Sequence, residues 1–516
     1  MSEANKRLEQ LTRADLLGIR RGIEKESLRA RPGGQLALTP HPAALGSALT
    51  HPHITTDFSE SQVELITGVH AGVESCLLEL TEVHQAVYQT LHEMSCCGQS
   101  SEEERLWVGS MPCGLPTDET IPLGRYGHSN VGRSKSVYRM GLGQRYGRRM
   151  QTISGIHYNW SLPGVSSEQY FALIRNFRRH SFLLLYLFGA SPALCSSFVQ
   201  GRQHELQSLN GGTLYMPHGT SLRMGRLGYQ SDAQASLAVS YNSLESYAAS
   251  LQDALTRPYP AYEAIGVQNP GGDYNQLSTS LLQIENEFYG TIRPKRVIRS
   301  GERPLHALRE RGVEYVEVRC MDLDPFVPVG IAAQTVRFLD VFLLHCLLSD
   351  SPPDTPEEIR ALGQNQHLVA ARGREPGLRL QTPDGDSRTL QDWGTELLDG
   401  CAPMAAALDA AHGGEDYRAA LDAARQTLAE PDSTPSARVL AAMAERFDNS
   451  YVGFVRQQSE ATRALLLDLP YSAELAQRFA EQAAASLAEQ ARIEQADTQA
   501  FEAYRQQYLA PERMEV

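Results

Sequence analysis

Two glutamates two positions apart, Glu24 and Glu26, are the clearest chemical signal near the N-terminus. In a β-strand, alternate side chains share a face, so these carboxylates would lie side by side. Such a pair repels unless a positive charge lies between its members, and Mg²⁺ prefers carboxylate oxygens. A charged, solvent-facing strand balanced by Lys25 and Arg29 would give the same pattern. A metal site therefore requires partners elsewhere in the chain.

A second acidic pair, Glu60 and Glu64, lies within residues 54–67. In a strand the two glutamates share a face with Gln62, and in a helix they share one with Asp57. Both geometries bring the glutamates together, while the β-branched residues at the ends of the segment favour a strand.

A histidine on a polar strand face adds a different ligand type. Residues 150–162 predict a strand with Gln151, His157 and Asn159 on one face. A lone histidine in a strand is more often structural than a ligand, but the polar face favours a functional role.

Two later segments combine acidic and basic residues. Residues 281–290 alternate so that Gln283, Glu285 and Glu287 share a face, and they lead into a basic cluster that is either a solvated patch or an anion site. The cluster consists of Arg293, Lys295, Arg296 and Arg299. A further strand over 313–320 buries Val316 and Val318 and places Glu317 and Arg319 on the opposite face.

If these strands share one antiparallel sheet, its open face carries far more acid than stability requires. The face would hold Glu24, Glu26, Glu60, Glu64, His157, Glu285 and Glu317. Carboxylates with one imidazole and no cysteine suit Mg²⁺ or Mn²⁺ better than zinc. The sequence contains no P-loop and no G-x-G-x-x-G after a strand, so a nucleotide would bind in another way.

The elements that position these residues predict an α+β fold. Amphipathic or apolar helices are expected over 72–95, 167–190, 239–256 and 329–349. Residues 1–350 form the expected catalytic part. Residues 351–516 form a helical C-terminal part packed on it, with helices over 395–413, 415–429, 436–447 and 472–508.

Composition limits the function classes. The formal net charge of −14 argues against sequence-independent nucleic-acid binding, which needs a basic face. The N-terminus lacks a signal-peptide core, and the most apolar run, residues 182–188, is too short to span a bilayer. We therefore expect a cytoplasmic protein without a membrane partner.

Five motifs in order resemble those of bacterial glutamate–cysteine ligase of the proteobacterial type, also called γ-glutamylcysteine synthetase. They are Gly22–Arg29, Thr55–Glu60, Met150–Asn159, Gln283–Glu287 and Ile292–Arg296. The likeness runs from about residue 16 to 350 and continues more weakly beyond. It implies a catalytic sheet like that of glutamine synthetase. It also implies ATP-dependent joining of the L-glutamate γ-carboxylate to the L-cysteine amine through γ-glutamyl phosphate, the first step of glutathione synthesis.

The resemblance also implies roles for individual residues. Glu24, His157 and Glu317 would hold one metal, while Glu26, Asp57 and Glu64 would hold others near the transferred phosphoryl group. The cysteine part of the substrate would contact Tyr138, Arg223 and Tyr229. Arg293 and Arg319 would act in catalysis, and Lys295 and Arg299 would bind ATP.

Two other functions compete with this prediction. A related ligase could join glutamate to a different amine, because only the resemblance points to cysteine. A non-catalytic Mg-nucleotide or metabolite sensor could keep the fold, although every acidic motif position is still acidic. The length leaves no room for a second, ATP-grasp domain, so a stand-alone ligase is expected, with feedback binding of glutathione as a family expectation.

Overall fold

An antiparallel sheet of seven strands lies at the centre of the fold. The computed structural model describes residues 3–98, 102–228, 232–235, 237–299 and 301–515. The strands in chain order are β1 (Arg20–Ala30), β2 (Ile54–Thr56), β3 (Gln62–Ile66), β4 (Arg105–Leu106), β5 (Ile156–Ser161), β6 (Ala193–Cys195), β7 (Gln207–Asn210), β8 (Thr213–Tyr215), β9 (Ile292–Lys295), β10 (Tyr315–Met321), β11 (Arg379–Gln381) and β12 (Ser387–Thr389).

The main sheet runs in the order β2-β3-β1-β5-β10-β9, with β4 paired to the end of β1. Its register aligns the predicted chemical residues across neighbouring strands. Paired positions are Glu24 with His157, Glu26 with Glu64, and Glu317 with both Asn159 and Arg293. The four predicted polar strand faces therefore meet on one side of one sheet.

The opposite face of the sheet is apolar and buried. Ile23, Val63, Tyr158 and Val318 are completely buried there. Each such side chain stabilises the fold by roughly 1.5–3 kcal/mol relative to exposure. Because strand residues alternate between faces, this burial fixes the direction of the acidic side chains as well.

The cations of β1 do not balance its acids. Lys25 is buried on the apolar side, where its Nζ lies 2.7 Å from Nε2 of His84. Arg29 forms a buried ion pair with Glu104. The charged-strand explanation of the Glu24 and Glu26 pattern is therefore wrong.

Eighteen α-helices surround the sheet within the described ranges. They are α1 (Glu3–Leu8), α2 (Arg13–Leu17), α3 (Val73–Cys96), α4 (Asn130–Tyr146), α5 (Ser167–His180), α6 (Phe182–Phe188), α7 (Asp232–Ala235), α8 (Leu244–Thr256), α9 (Pro260–Ile265), α10 (Pro304–Arg311), α11 (Ala333–Leu348), α12 (Pro356–Arg372), α13 (Leu390–His412), α14 (Asp416–Ala429), α15 (Pro435–Arg446), α16 (Tyr451–Asp468), α17 (Ala473–Ala496) and α18 (Phe501–Leu509).

The apolar face packs against α3, α5 and α6. Helix α11 packs on α3 and α5 and reaches the sheet through Asp340, which accepts from the Tyr158 hydroxyl, and α13 and α14 pack outside α11. The strongly amphipathic helices confirm the sequence prediction, although 167–190 and 472–508 each divide into two helices. Helix α4 was not predicted, because its glycine-containing, largely polar sequence lacks an apolar stripe. In the part of the chain that the structure describes, no helix combines the length and apolarity needed to cross a membrane.

Two predicted strands are shorter than expected. Residues 54–67 form two strands, β2 and β3, because the chain turns at residues 57–61, where the Gln62 N–H donates to the Ser59 carbonyl at 2.9 Å. Residues 150–162 begin with a 3₁₀ turn, Met150–Thr152, and become β5 only at Ile156.

The segment 281–290 is not a strand. Residues Glu285–Glu287 form a 3₁₀ turn, and the adjoining strand begins at Ile292. Both glutamates of this turn are buried, so the predicted alternation between two faces does not describe them.

Candidate active site

Glu24 lies at the centre of the open sheet face. Its Oε1 accepts a hydrogen bond from Nδ2 of Asn159 at 2.9 Å, and its Oε2 lies 3.2 Å from Nδ1 of His157. Burial favours the protonated acid, but the contacts to His157 outweigh it and lower the pKa of Glu24. Glu24 is therefore ionised near neutral pH, as a metal ligand must be.

Glu26 and Glu64 occupy paired positions on neighbouring strands and face Asp57. Burial, and then the Asp57 charge, raises the pKa of Glu26 to about 8. Burial and the Glu24 charge raise the pKa of Glu64 well above its ordinary value. Without a cation, this part of the site therefore holds protons that an ion would displace.

Three residues from three strands fit one divalent ion. Ligand atoms of Glu24, Glu64 and His157 all lie within 4.8 Å of one another. Adjacent ligands of an octahedral ion at about 2.1 Å are about 3 Å apart, close to the 3.2 Å between Glu24 and His157. Burial and the Arg319 charge lower the pKa of His157, which keeps the imidazole neutral as a ligand must be.

Glu317 joins this acidic cluster to a basic edge. Its Oε1 accepts from Lys295 Nζ at 3.2 Å, and its Oε2 accepts from Arg319 Nη1 at 3.1 Å. Arg293 Nη1 lies 4.0 Å from Glu317 Oε2, and His157 Nδ1 lies 3.9 Å from Glu317 Oε1. Burial favours the protonated acid, but these charges lower the pKa of Glu317 well below its ordinary value.

The 3₁₀ turn at 285–287 holds Arg293 in place. Arg293 Nη2 donates to the Asn286 carbonyl at 2.8 Å and also to the Phe288 carbonyl. Two buried ion pairs fix this turn: Glu285 pairs with Arg303 and Glu287 pairs with Arg145, each with an N···O distance of 2.8 Å.

Three glutamates predicted to line the open face have other partners. Glu285 and Glu287 balance the arginines just described, although Glu285 still reaches the cavity wall. Glu60 lies in the turn between β2 and β3, where its carboxylate accepts backbone N–H bonds from His41 at 2.8 Å and Arg125 at 2.6 Å. The larger acidic face predicted from strand alternation is wrong for these residues.

Helix α4 closes the cavity opposite the sheet. Tyr138, Lys135 and Arg139 line the cavity from this helix. Arg139 stacks 4.4 Å from the Tyr126 ring centroid and donates to the Asp57 carbonyl. The Ser129 side chain caps the helix through the Gly132 N–H, which fixes where its side chains face.

Arg223 lies on the sheet side of the cavity, beside the end of strand β10. Its Nη2 donates to the Arg319 carbonyl at 2.8 Å, and its Nη1 lies 3.8 Å from Asp322. Arg223 lines a neighbouring cavity of ≈ 190 Å³ that shares Arg319 and Tyr289 with the acidic cavity. Tyr229, the third predicted cysteine contact, lies outside the described residues.

These groups enclose one cavity of ≈ 370 Å³. Of the predicted site residues, it is lined by Glu24, Glu26, Asp57, Glu64, Tyr138, His157, Arg293, Lys295, Glu317 and Arg319. Arg299 is not in its wall, because that side chain is 69% exposed and lies 3.6 Å from Glu310.

Two tyrosines from the C-terminal helix α18 complete the wall. Tyr504 and Tyr508 stack with nearly parallel rings whose centroids are 5.9 Å apart, and both line the cavity. Sequence inspection assigned no site chemistry to this part of the chain. An i, i+4 tyrosine pair is its only sequence signal, and such pairs usually serve packing.

The arrangement can hold a polyanion next to divalent ions. Carboxylates and an imidazole supply metal ligands, and the Lys295, Arg293 and Arg319 edge supplies donors for phosphate or carboxylate oxygens. Such a combination is typical of phosphoryl transfer, which depends mainly on positioning and charge neutralisation.

Comparison with known proteins identifies what the chain resembles. A family model described as glutamate-cysteine ligase matches residues 6–369. The glutamate–cysteine ligase of Azotobacter vinelandii is 50% identical over 510 residues, covering 95% of this chain and 94% of that protein. That of Alcanivorax borkumensis is 46% identical, covering 99% of this chain and all of that protein.

Two solved structures share the fold. The crystal structure of the Francisella tularensis glutamate–cysteine ligase in complex with AMP has a TM-score of 0.89 at 36% identity, covering 95% of this chain and 97% of that one. A bifunctional glutathione synthetase from Pasteurella multocida has a TM-score of 0.71 at 24% identity, covering 93% of this chain and 58% of that one. The predicted α+β fold with a glutamine-synthetase-like sheet is thereby confirmed.

Proposed function

We infer the reaction of this chain from its family, because it belongs to the glutamate–cysteine ligases. It catalyses the ATP-dependent joining of the L-glutamate γ-carboxylate to the L-cysteine amine, giving γ-glutamylcysteine, ADP and phosphate. This is the first step of glutathione biosynthesis, and γ-glutamyl phosphate is the intermediate. The observation that carries the assignment is the acidic cluster of the sheet meeting the Lys295, Arg293 and Arg319 edge in one cavity.

We propose that the divalent ions are Mg²⁺, with Mn²⁺ as a substitute. Glu24, His157 and Glu317 would hold one ion, and Glu26, Asp57 and Glu64 would hold others. Glu64 could also serve the first, because its carboxylate reaches the Glu24 and His157 ligand atoms. When bound, the ions act as Lewis acids and neutralise phosphate charge.

We propose that the basic edge positions ATP and glutamate. Lys295 reaches into the cavity beside Glu317 and would bind ATP phosphates, with Arg299 extending the basic segment outside the wall. Next to Lys295 lies a cavity of ≈ 300 Å³ that would take the adenosine, since its wall combines apolar residues such as Leu251 and Ile298 with charged residues such as Arg296. Arg293 and Arg319 would stabilise the charge that develops on the transferred phosphoryl group.

Tyr138 and Arg223 would orient cysteine, with Tyr229 as a further contact. Arg223 is buried and carries a permanent charge, which suits the cysteine carboxylate. The amine must be unprotonated when it attacks the acyl phosphate. Glutathione contains the same γ-glutamylcysteine unit, so it would compete for this site. A cytoplasmic location, where ATP is available, follows from this function.

Acceptor choice tests the cysteine assignment. ADP release with saturating L-glutamate should show a kcat/KM for L-cysteine that exceeds that for ammonia by orders of magnitude, because Arg223 and the cavity wall bind the acceptor beyond its nitrogen. Activity with 2-aminobutyrate is expected, since exchanging one small group changes binding only modestly. Equal kcat/KM values for cysteine and ammonia would favour a ligase for another amine. The absence of ADP release with every amine would favour the sensor alternative.

The metal site predicts a characteristic pH dependence. Glu26 has a pKa of about 8 in the fold, above its ordinary value of 4.5. The metal-free folded state therefore binds more protons than the unfolded state between these values. The contribution of Glu26 to stability is fully present below the lower value and is lost as pH rises through the upper one. The Glu26 contribution should lower the metal-free melting temperature from about pH 5 to about pH 8, and Mg²⁺ should raise it most at the upper end of this range.

Calorimetry in buffers of different ionisation enthalpy measures the protons displaced by Mg²⁺. Release is expected at pH 7, and Glu26→Gln should reduce both the release and the pH slope of melting. Mg²⁺ binding at pH 7 without proton release would contradict the assignment of Glu26 and Glu64 as ligands.

A further inference from the structure

Helix α4 places two further cations, Lys135 and Arg139, on the wall of the catalytic cavity. They are one helical turn apart, so their side chains lie on the same face of the helix. Lys135 is exposed, and neither cation forms an ion pair with an acid within the part of the chain that the structure describes. Accessible positive groups without acidic partners are available for an anionic part of a substrate.

The ring of Tyr126 holds both cations in place. Lys135 Nζ lies 5.3 Å from the ring centroid, and Arg139 Cζ lies 4.4 Å from it. Tyr126 is itself fixed, because it is 1% exposed and its hydroxyl donates to the Asp57 carbonyl at 2.6 Å. Arg139 Nε donates to the same carbonyl. The two positive groups are therefore held beside Asp57, at the end of the sheet that carries β2 and β3.

The acid that attracts Lys135 is a proposed metal ligand. Desolvation at the cavity wall, and then the Arg139 charge, lowers the pKa of Lys135 to about 8, while the Glu64 charge opposes this change. The ammonium is therefore the main form at pH 7. Divalent ions held by Asp57 and Glu64 would neutralise these carboxylates, which leaves Lys135 and Arg139 as a positive pair that only another anion can balance.

Position across the sheet decides which substrate this pair meets. Lys295 lies on β9 at one edge, whereas Glu64 lies on β3 near the other. Strands β1, β5 and β10 lie between them, and at about 4.8 Å for each neighbouring pair this separates the two edges by about 19 Å. With ATP phosphates beside Lys295 and the acceptor beside Arg223 at the end of β10, the β3 side remains for glutamate.

L-Glutamate brings a second carboxylate that does not react. Its γ-carboxylate must lie at the metal ions, where the phosphoryl group is transferred. Its α-carboxylate is three carbon atoms away and would enter an acidic cavity, where an anion without a cationic partner is costly.

On the basis of the proposed ligase reaction, we propose that Lys135 and Arg139 bind the α-carboxylate of L-glutamate and thereby position its γ-carboxylate for phosphorylation. Lys135 makes the direct contact, because its ammonium group is exposed to the cavity. Arg139 adds positive charge from the next turn of α4 while its Nε stays bound to the Asp57 carbonyl.

L-Isoglutamine, in which a neutral amide replaces the α-carboxylate, separates this contact from all others. ADP release at saturating ATP and L-cysteine should give wild-type protein a kcat/KM about a hundredfold higher for L-glutamate than for L-isoglutamine. Lys135→Met should lower kcat/KM for L-glutamate by about thirtyfold, mainly through KM, and change that for L-isoglutamine by less than about twofold. The matched control is Arg133→Met, which removes a cation of the same helix that stacks 4.3 Å from the Phe501 ring centroid outside the cavity wall. This control should keep the wild-type preference.

Binding gives a readout that does not depend on turnover. Saturating L-glutamate with Mg²⁺ should raise the melting temperature of wild type and Arg133→Met clearly more than that of Lys135→Met. Equal losses of Lys135→Met with both substrates would place Lys135 at the phosphoryl group, and unchanged kinetics would show that it binds no substrate; either result overturns the proposal. Equal wild-type kcat/KM values for the two substrates would overturn the α-carboxylate site alone. If wild type releases no ADP with L-glutamate and L-cysteine, the ligase reaction fails, and this role fails with it.

Discussion

Replacing Glu24 by glutamine is expected to lower kcat by about a hundredfold to a thousandfold with little loss of stability. In the proposed metal site, Glu24 supplies a ligand oxygen at the centre of the sheet face, beside His157 and Glu64. A neutral amide is a much weaker ligand for Mg²⁺ than a carboxylate. ADP release at saturating substrates measures the loss, and thermal melting without metal measures the stability.

Most of the stability should survive because repulsion by Glu317 offsets part of the attraction to His157 and Lys295 that lowers the pKa of Glu24 in the metal-free fold. The negative charge of Glu317 opposes ionisation of Glu24, and Glu24 in turn raises the pKa of Glu64. The glutamine oxygen can still accept from Asn159 Nδ2, which removes the repulsion while keeping one of the two contacts. We therefore expect a melting temperature near that of the wild type or slightly below it.

Glu60→Gln is the matched control, because it makes the same change in the turn between β2 and β3, outside the cavity. Its carboxylate accepts two backbone N–H bonds, which a single amide oxygen replaces poorly. This variant should melt earlier and keep its turnover, the reverse of the Glu24 pattern. Full turnover in Glu24→Gln would remove Glu24 from the metal site.

Strand alternation alone predicted which side of the sheet carries the chemistry. Glu24, Glu26, His157 and Glu317 lie on the open face because Ile23, Tyr158 and Val318 must be buried on the other. This local rule needs no knowledge of neighbouring strands. The same rule correctly placed Glu317 and Arg319 on one face of β10 and Val316 and Val318 on the other.

The rule failed where tertiary partners decide the conformation. Glu285 and Glu287 alternate in sequence, but buried arginines from α4 and from the start of α10 draw them into a 3₁₀ turn. Those arginines lie 18 and 142 residues away along the chain. No local pattern contains such pairings. The Tyr504 and Tyr508 contribution was hidden for the same reason, since it depends on where α18 packs.

The choice between a solvated patch and an anion site at 293–299 could not be made from the sequence. The structure separates the cluster by strand direction and burial. Arg293 is 5% exposed and Lys295 reaches Glu317, whereas Arg296 donates to the Arg311 carbonyl and Arg299 faces outward. Part of the cluster therefore lines the cavity and part lies outside its wall.

Arg319→Ala is expected to reduce kcat by about a thousandfold or more, the effect typical of an arginine that stabilises a transferring phosphoryl group. Arg319 donates to Glu317 and lines both the acidic cavity and the one that contains Arg223. Its guanidinium would thus lie between the proposed sites for ATP and for the acceptor amine. Arg319→Lys should restore only part of the rate, because an ammonium cannot make the planar, two-pronged contact.

Rescue by added guanidinium distinguishes a catalytic role of Arg319 from a structural one. The alanine variant leaves a space beside Glu317 that a guanidinium ion can enter, so kcat should rise with its concentration and saturate. The kcat of Glu24→Gln should not rise with added guanidinium, because that variant lacks a proposed metal-ligand oxygen and not a guanidinium group. If Arg319→Ala keeps wild-type turnover, Arg319 does not stabilise the reaction. If guanidinium fails to rescue a variant that melts as wild type does, the lost rate reflects altered positioning of Glu317 and Arg223.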